Sequence, residues 1–157
     1  KAVNLADYLP LDSFEHVATG PFTHLYPKKG YTETAYKILK TVPHISVYRK
    51  GELPERLHFG SSPRIGELVL LADLGTQIFF NPQGIPADFL RAGHGFDNKH
   101  PEMYAVFKAV GPDFKAGRHL SAPIPNITLY PLVCKILGIT PGEHDADESL
   151  AETLIKR

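Results

Sequence analysis

Near the middle of the sequence a histidine stands between two glycines, Gly93-His94-Gly95, followed at once by Phe96, Asp97 and Asn98. Glycine lets a backbone take conformations closed to residues with a Cβ, so a tight loop here can push one imidazole forward. Asp97 and Asn98 can fold back onto backbone amides and fix that loop. A neutral imidazole presented in this way is suited to ligating a metal. The same residues also suit a plain turn carrying a structural histidine. Residue types and spacing leave both open.

The other candidates are weaker. His16, His24, His44, His58, His119 and His144 are dispersed. No H-x-x-x-H or H-E-x-x-H occurs, and Cys134 has no C-x-x-C companion, so the usual zinc spacings are missing. His100 lies six residues after His94 but has no glycine frame. Arg49-Lys50-Gly51 and Arg64-Ile65-Gly66 could touch a phosphate, yet they read as solvated turn charges. Tyr26, Tyr31, Tyr48 and the Phe79-Phe80 pair could stack a nucleobase, yet their spacing suits a packed core.

The elements that must position His94 follow from periodicity. The first residues, 3–14, read as a short strand or helical turn leading into a loop. Residues 22–26 alternate as a strand, and 32–41 form a helix capped by Thr32, with Tyr31 as a staple and Pro43 as its stop. Strands are expected at 45–48 and 57–59. The apolar run 67–72 pairs with 76–80 as a hairpin across Asp73-Leu74-Gly75. A Pro- and Gly-bearing connector, 81–91, leads to the histidine loop. Beyond it, 104–110 is so continuously apolar that it reads as a strand covered on both faces. Asn126 then caps a helix whose apolar face is Leu129, Leu132, Val133, Ile136 and Leu137, ending at Gly138, with Pro131 tolerated in its first turn. A last short helix fits 148–155. Two parts are therefore expected: 1–82, a small mixed α+β subdomain, and 83–157, which carries the loop and then the edge strand and helix of a larger α/β sheet.

Composition narrows the class without sharpening it. Seventeen basic residues offset seventeen acidic ones, so no net field gathers nucleic acid or an anionic membrane, and no nucleic-acid-specific binding is expected. Nine Phe and seven Tyr within a 43% hydrophobic chain fit a packed domain rather than a disordered tail. No apolar run reaches the roughly 20 residues of a bilayer span. The single cysteine excludes a disulfide within the chain.

The order of residues says more. Gly93-His94-Gly95-Phe96-Asp97-Asn98, then Pro101-Glu102-Met103, then Val106-Phe107-Lys108-Ala109-Val110-Gly111-Pro112-Asp113-Phe114-Lys115 resembles the nucleotide pyrophosphatase/phosphodiesterase family of the alkaline-phosphatase superfamily. The likeness continues through Pro125-Asn126-Ile127, Tyr130-Pro131-Leu132-Val133-Cys134 and Leu137-Gly138-Ile139. Upstream it includes Val3-Asn4-Leu5, His24-Leu25-Tyr26-Pro27, the stretch 47–55 and Arg64-Ile65-Gly66. It covers nearly the whole chain, but only the carboxy-terminal portion of a family member.

The resemblance implies an alkaline-phosphatase-like α/β fold in the parent and a two-zinc hydrolase of nucleotide phosphodiester or pyrophosphate bonds that releases nucleoside monophosphates. It makes His94 a ligand of one zinc, with the remaining ligands of that ion on an earlier segment, and makes Asp97 and Asn98 second-shell or loop-fixing residues. The family's threonine nucleophile, which forms a covalent nucleotidyl intermediate, and its Asp-His-Gly element have no counterpart here. The sequence looks as if it begins shortly after that element. Thr19, Thr23, Thr32, Thr34, Thr41 and Thr76 are thus structural or surface residues, and no catalytic residue is expected in this chain. Alone it is expected to be inactive, with the amino-terminal part of the same protein as its partner. The alternatives are a choline- or lipid-phosphodiester member, or a non-catalytic binding module of the same fold. A secreted or periplasmic location follows from the family only.

Overall fold

The computed structural model describes residues 1–89 and 92–156. They form two compact units, Lys1–Met103 and Tyr104–Arg157, and the chain is mixed α+β.

In the first unit β1 (Ala2–Asn4) is followed by β2 (Phe14–Val17), β3 (Phe22–Pro27), helix α1 (Thr32–Leu39), β4 (Ile45–Arg49), β5 (Leu68–Ala72) and β6 (Gln77–Phe79). Four strands make an antiparallel sheet in the order β2-β3-β5-β4. β5, Leu-Val-Leu-Leu-Ala, is buried at every position because it has a strand on each edge and cover on each face. On one face Leu68, Leu70 and Ala72 join Leu25, Val47 and the α1 residues Ala35 and Leu39 in the core. On the other, Val69 stands opposite His24 and Tyr48, and Leu71 opposite Phe22. The segment 50–66 is fastened to β3 beside this second face. Phe59 meets the Phe22 ring edge-on at 5.2 Å, the Tyr26 hydroxyl donates to the Arg64 carbonyl, and the Gly66 amide donates to His24 Nδ1 at 3.1 Å.

The hairpin expected from 67–72 and 76–80 does not form. Both edges of β5 are already taken by β3 and β4, so β6 pairs instead with β1, in parallel, with Val3 opposite Ile78. Buried Asn4 joins these ends: its Nδ2 donates to the Asn81 carbonyl and its Oδ1 accepts from the Asn81 amide, both at 3.0 Å. The strand expected at 57–59 is also absent. A 3-10 turn, Glu55–Leu57, occupies the place, and His58 ends it in the left-handed region at φ 47°. Helix α1 starts at Thr32 as expected, but Tyr31 is the cap residue and no side chain caps it. Tyr31 packs edge-on against Phe14 at 5.8 Å, and as the cap residue it does not occupy the position before the cap that a staple needs.

In the second unit α2 (Leu129–Leu137) and α3 (Glu148–Leu154) enclose a small core of Leu132, Ala151, Leu154 and Ile155. Asn126 opens a 3-10 turn before α2 and does not cap the helix. Gly138 closes α2 at φ 68°, as expected from its position. Asp147 caps α3 through the Ser149 amide at 2.9 Å. Leu129, Leu132 and Ile136 of the expected α2 face pack inward, whereas Val133 and Leu137 are exposed.

The segment 104–110 departs most from expectation. It is not a strand, and Val106 and Val110 are 94% and 90% exposed. An apolar run of this kind becomes a buried strand only when neighbouring strands satisfy its amides. Among the described residues none pairs with it.

Candidate functional site

The histidine loop follows the connector from β6 and has no regular secondary structure until a 3-10 turn at Pro101–Met103. Leu90 and Arg91, at its entry, lie outside the described residues. The two flanking glycines act differently. Gly95 sits at φ +91°, a conformation that strains any residue with a Cβ. At Gly93 a Cβ would stand 2.8 Å from Gln77 Nε2, the end of a flexible side chain that can swing aside, so neither space nor backbone conformation demands glycine there. Between them His94 is exposed and, among the described residues, makes no side-chain hydrogen bond. Phe96 turns inward and packs against the core of the first unit.

Asp97 is the anchor. Its side chain is 9% exposed. It accepts two hydrogen bonds from one guanidinium, Arg56 Nη1 to Oδ1 at 2.8 Å and Nη2 to Oδ2 at 2.6 Å. The Lys99 amide donates to Oδ1 at 3.0 Å, and Lys99 Nζ stands 3.8 Å from Oδ2. The Asp97 carbonyl also accepts from the His100 amide. The hydrogen bonds from Arg56, helped by the Lys99 amide and opposed by desolvation, hold the carboxyl down at about 2. The same pairing raises the Arg56 guanidinium above its ordinary value. Asn98 is exposed, and its Oδ1 accepts from Arg56 Nη1 at 3.2 Å. Asp97 and Asn98 are therefore brought together on one cation, with His94 three residues away on the exposed side of the loop.

Arg56 was not legible as a site residue. It sits 41 positions upstream in the segment beside β3. No motif or spacing in the sequence singles it out. Arg49, expected to be solvated, also has partners. It donates to both Glu33 oxygens at 2.8 and 2.9 Å and lies 3.7 Å from the Tyr36 ring centre. Arg64 contributes its carbonyl to Tyr26. Tyr31 packs on a core ring, while Phe79 meets Phe89 at 5.5 Å.

A cavity of about 600 Å³ opens beside the loop, lined by Lys1, Gln77, Phe89, Gly93, Phe96 and Glu102 among others. No group of three or more His, Cys, Asp or Glu able to hold a metal ion exists among the described residues. His94 stands exposed on its loop, apart from any such group. The arrangement can present an imidazole on a fixed loop. Thr23 and Thr76 are fully buried, without the access a nucleophile needs.

Comparison with known proteins gives the same direction. The family described as Type I phosphodiesterase / nucleotide pyrophosphatase matches residues 1–97. Ectonucleotide pyrophosphatase/phosphodiesterase family member 7 of Mus musculus is 35% identical over 144 residues, covering 91% of this chain and 32% of the relative. The Mus musculus protein named bis(5'-adenosyl)-triphosphatase enpp4 is 30% identical over 155 residues, covering 99% and 33%. The chain thus spans about a third of the length of these curated relatives. Among solved structures, human ectonucleotide pyrophosphatase / phosphodiesterase 5 aligns with a TM-score of 0.92 at 31% identity, over 99% of this chain and 41% of that one. An inactive variant of the murine protein in complex with AMP aligns with a TM-score of 0.90, also at 31% identity and over the same shares of the two chains. A fold shared over nearly the whole chain, with a family match across 97 of its 157 residues, places this α+β chain in the alkaline-phosphatase-like fold and shows that it belongs to the Type I phosphodiesterase / nucleotide pyrophosphatase family.

Proposed function

We propose that this chain is the carboxy-terminal part of a zinc-dependent hydrolase that cleaves nucleotide phosphodiester or pyrophosphate bonds and releases nucleoside monophosphates. The observation that carries the reading is the fold match to a family member in complex with AMP, a nucleoside monophosphate. His94 would hold one of two zinc ions, with the other ligands and the threonine nucleophile coming from the amino-terminal part of the same protein. When bound, the two ions supply charge that polarises the phosphoryl oxygen and steadies the leaving oxygen. Asp97 and Asn98 support His94 from within the loop. The division at residues 82 and 83 belongs to this reading, with a subdomain before it and part of the catalytic domain after it.

On its own the chain is inactive in this reading, because one imidazole cannot assemble a two-metal centre. The exposed run 104–110 then becomes an edge strand of the main sheet once the amino-terminal part is present. Of the extracellular or periplasmic location in this reading, the extracellular one is supported by the "ecto" in the names of two relatives. No helix among the described residues is long and apolar enough to cross a membrane.

The test is hydrolysis of p-nitrophenyl thymidine monophosphate by the natural-length protein, with and without chelator, beside this chain alone. Activity in the long form that chelator abolishes and that His94→Ala removes is the expected result. No hydrolysis by the metal-loaded long form would overturn the nucleotide reading and bring choline phosphodiesters or a binding role forward.

A further inference from the structure

We propose that Arg56 is the positioning residue of the histidine loop: its guanidinium grips Asp97 through both nitrogens and Asn98 through one of them, and so sets where the His94 imidazole stands. The consequence for metal holding rests on the function proposed above; the grip itself does not.

Three observations support it. First, between Ala92 and the turn at Pro101–Met103 the loop has no strand or helix of its own, so its place depends on what its side chains hold. Phe96 anchors it to the core and Asp97 anchors it to Arg56, while Gly93, His94 and Gly95 are exposed. Second, the grip is built for one geometry. A planar guanidinium meets both carboxylate oxygens at 2.8 and 2.6 Å, and Nη1 reaches Asn98 at 3.2 Å as well. A lysine ammonium cannot reproduce that fork. Third, Arg56 is itself held. It lies in the 3-10 turn Glu55–Leu57, fixed by the Leu57 and His58 amides on the Pro54 and Glu55 carbonyls at 3.0 and 2.9 Å. The segment around that turn is fastened to β3 through Phe59 and Gly66. A continuous line of contacts therefore runs from the sheet, through Arg56, to the loop that carries His94.

Removing Arg56 leaves a carboxylate that is nine-tenths buried without its main partner. Such a group moves toward water. His94 is three residues away and would move with it. Support of this kind is worth roughly 10- to 100-fold in metal affinity where a ligand depends on it.

The experiment compares wild type, Arg56→Ala, Arg56→Lys and the double variant Arg56→Ala/Asp97→Asn in the natural-length protein. Three readouts are taken: amide hydrogen exchange across residues 93–99 in metal-free protein, zinc retained against a competing chelator, and kcat and KM on p-nitrophenyl thymidine monophosphate. Arg56→Ala should speed exchange of the loop, including the Lys99 amide, by about tenfold or more. It should weaken zinc retention by roughly 10- to 100-fold and lower kcat more than it raises KM. Arg56→Lys should restore part of each, and the double variant should be no worse than Arg56→Ala, because both changes break one interaction.

Loop exchange and zinc retention within twofold of wild type in Arg56→Ala would overturn the proposal. So would a lowered unfolding midpoint with kcat of the folded enzyme unchanged, the pattern of a merely stabilising pair. If Arg56→Ala does not fold, Arg56→Lys decides by the same exchange readout. Should the wild-type protein hold no zinc, the proposed function falls, and exchange of the loop amides still decides the grip.

Discussion

Asp97→Asn removes the charge from the anchor while keeping its shape, and the size of the effect can be worked from the geometry. The Arg56 hydrogen bonds hold the Asp97 carboxyl at about 2, against an ordinary value of 3.8. At about 1.4 kcal/mol per tenfold, that depression corresponds to about 2.5 kcal/mol of native-state stability at neutral pH. Arg56 is 43% exposed, and solvent screening of so open a partner reduces the figure to about 1 kcal/mol. The sign follows from linkage. A carboxyl depressed in the folded state contributes fully above the unfolded value, near 4, and loses its contribution as pH falls through the folded value near 2. Denaturant unfolding of the natural-length wild type and Asp97→Asn should therefore differ by about 1 kcal/mol at neutral pH, and the gap should close as pH falls from about 4 to about 2. Metal-free protein is used, so that zinc linkage does not enter. A gap that stays constant over this range would refute an ion pair as the anchor and leave only packing or an uncharged hydrogen bond.

Two further outcomes follow from close packing and from exposure. A Cβ on Gly66 would stand 2.2 Å from the Leu25 carbonyl oxygen, a backbone atom with nowhere to move, so Gly66→Ala should cost about 1–3 kcal/mol; an unchanged thermal midpoint would refute this packing of the segment against β3. Val106 and Val110 are almost fully exposed here, so Val106→Lys should reduce binding of a hydrophobic dye to the isolated chain while destabilising the natural-length protein by about 2 kcal/mol or more. Equal tolerance in both would refute burial of 104–110 by the amino-terminal part.

The elements that the sequence made legible are those whose neighbours lie in this chain. β3, β4, β5, α1 and α3 have apolar patterns that match the faces they bury, and α2 matches only in part, with Val133 and Leu137 left exposed. Elements were misread where pairing was decided elsewhere in the chain. β6 carries a good strand pattern and follows a good turn, but edge availability sent it to β1. No local feature of Gln77-Ile78-Phe79 could reveal that. β2 was missed because its strand state rests on pairing with β3, Phe14 opposite Pro27, His16 opposite Tyr26 and Val17 opposite Leu25. The run 104–110 is the opposite case. Its pattern asks for neighbours on both sides, and no described residue of this chain supplies them.

The site divides in the same way. His94, Asp97 and Asn98 were legible because they are adjacent in sequence and framed by glycines. The residue that joins two of them, Arg56, is 41 positions away from Asp97 and chemically like any surface arginine. What distinguishes it is a partner of complementary shape in a half-buried place, and that is a property of the fold. The same reasoning separates the two possible roles of Asp97. As a simple turn former it would need only the Lys99 amide, and the Asx-type contact at 3.0 Å provides that. The two short guanidinium contacts are in excess of what a turn requires. Such a tie fixes the loop to a distant segment and stabilises the fold, and under the proposed function it would also hold one imidazole in place.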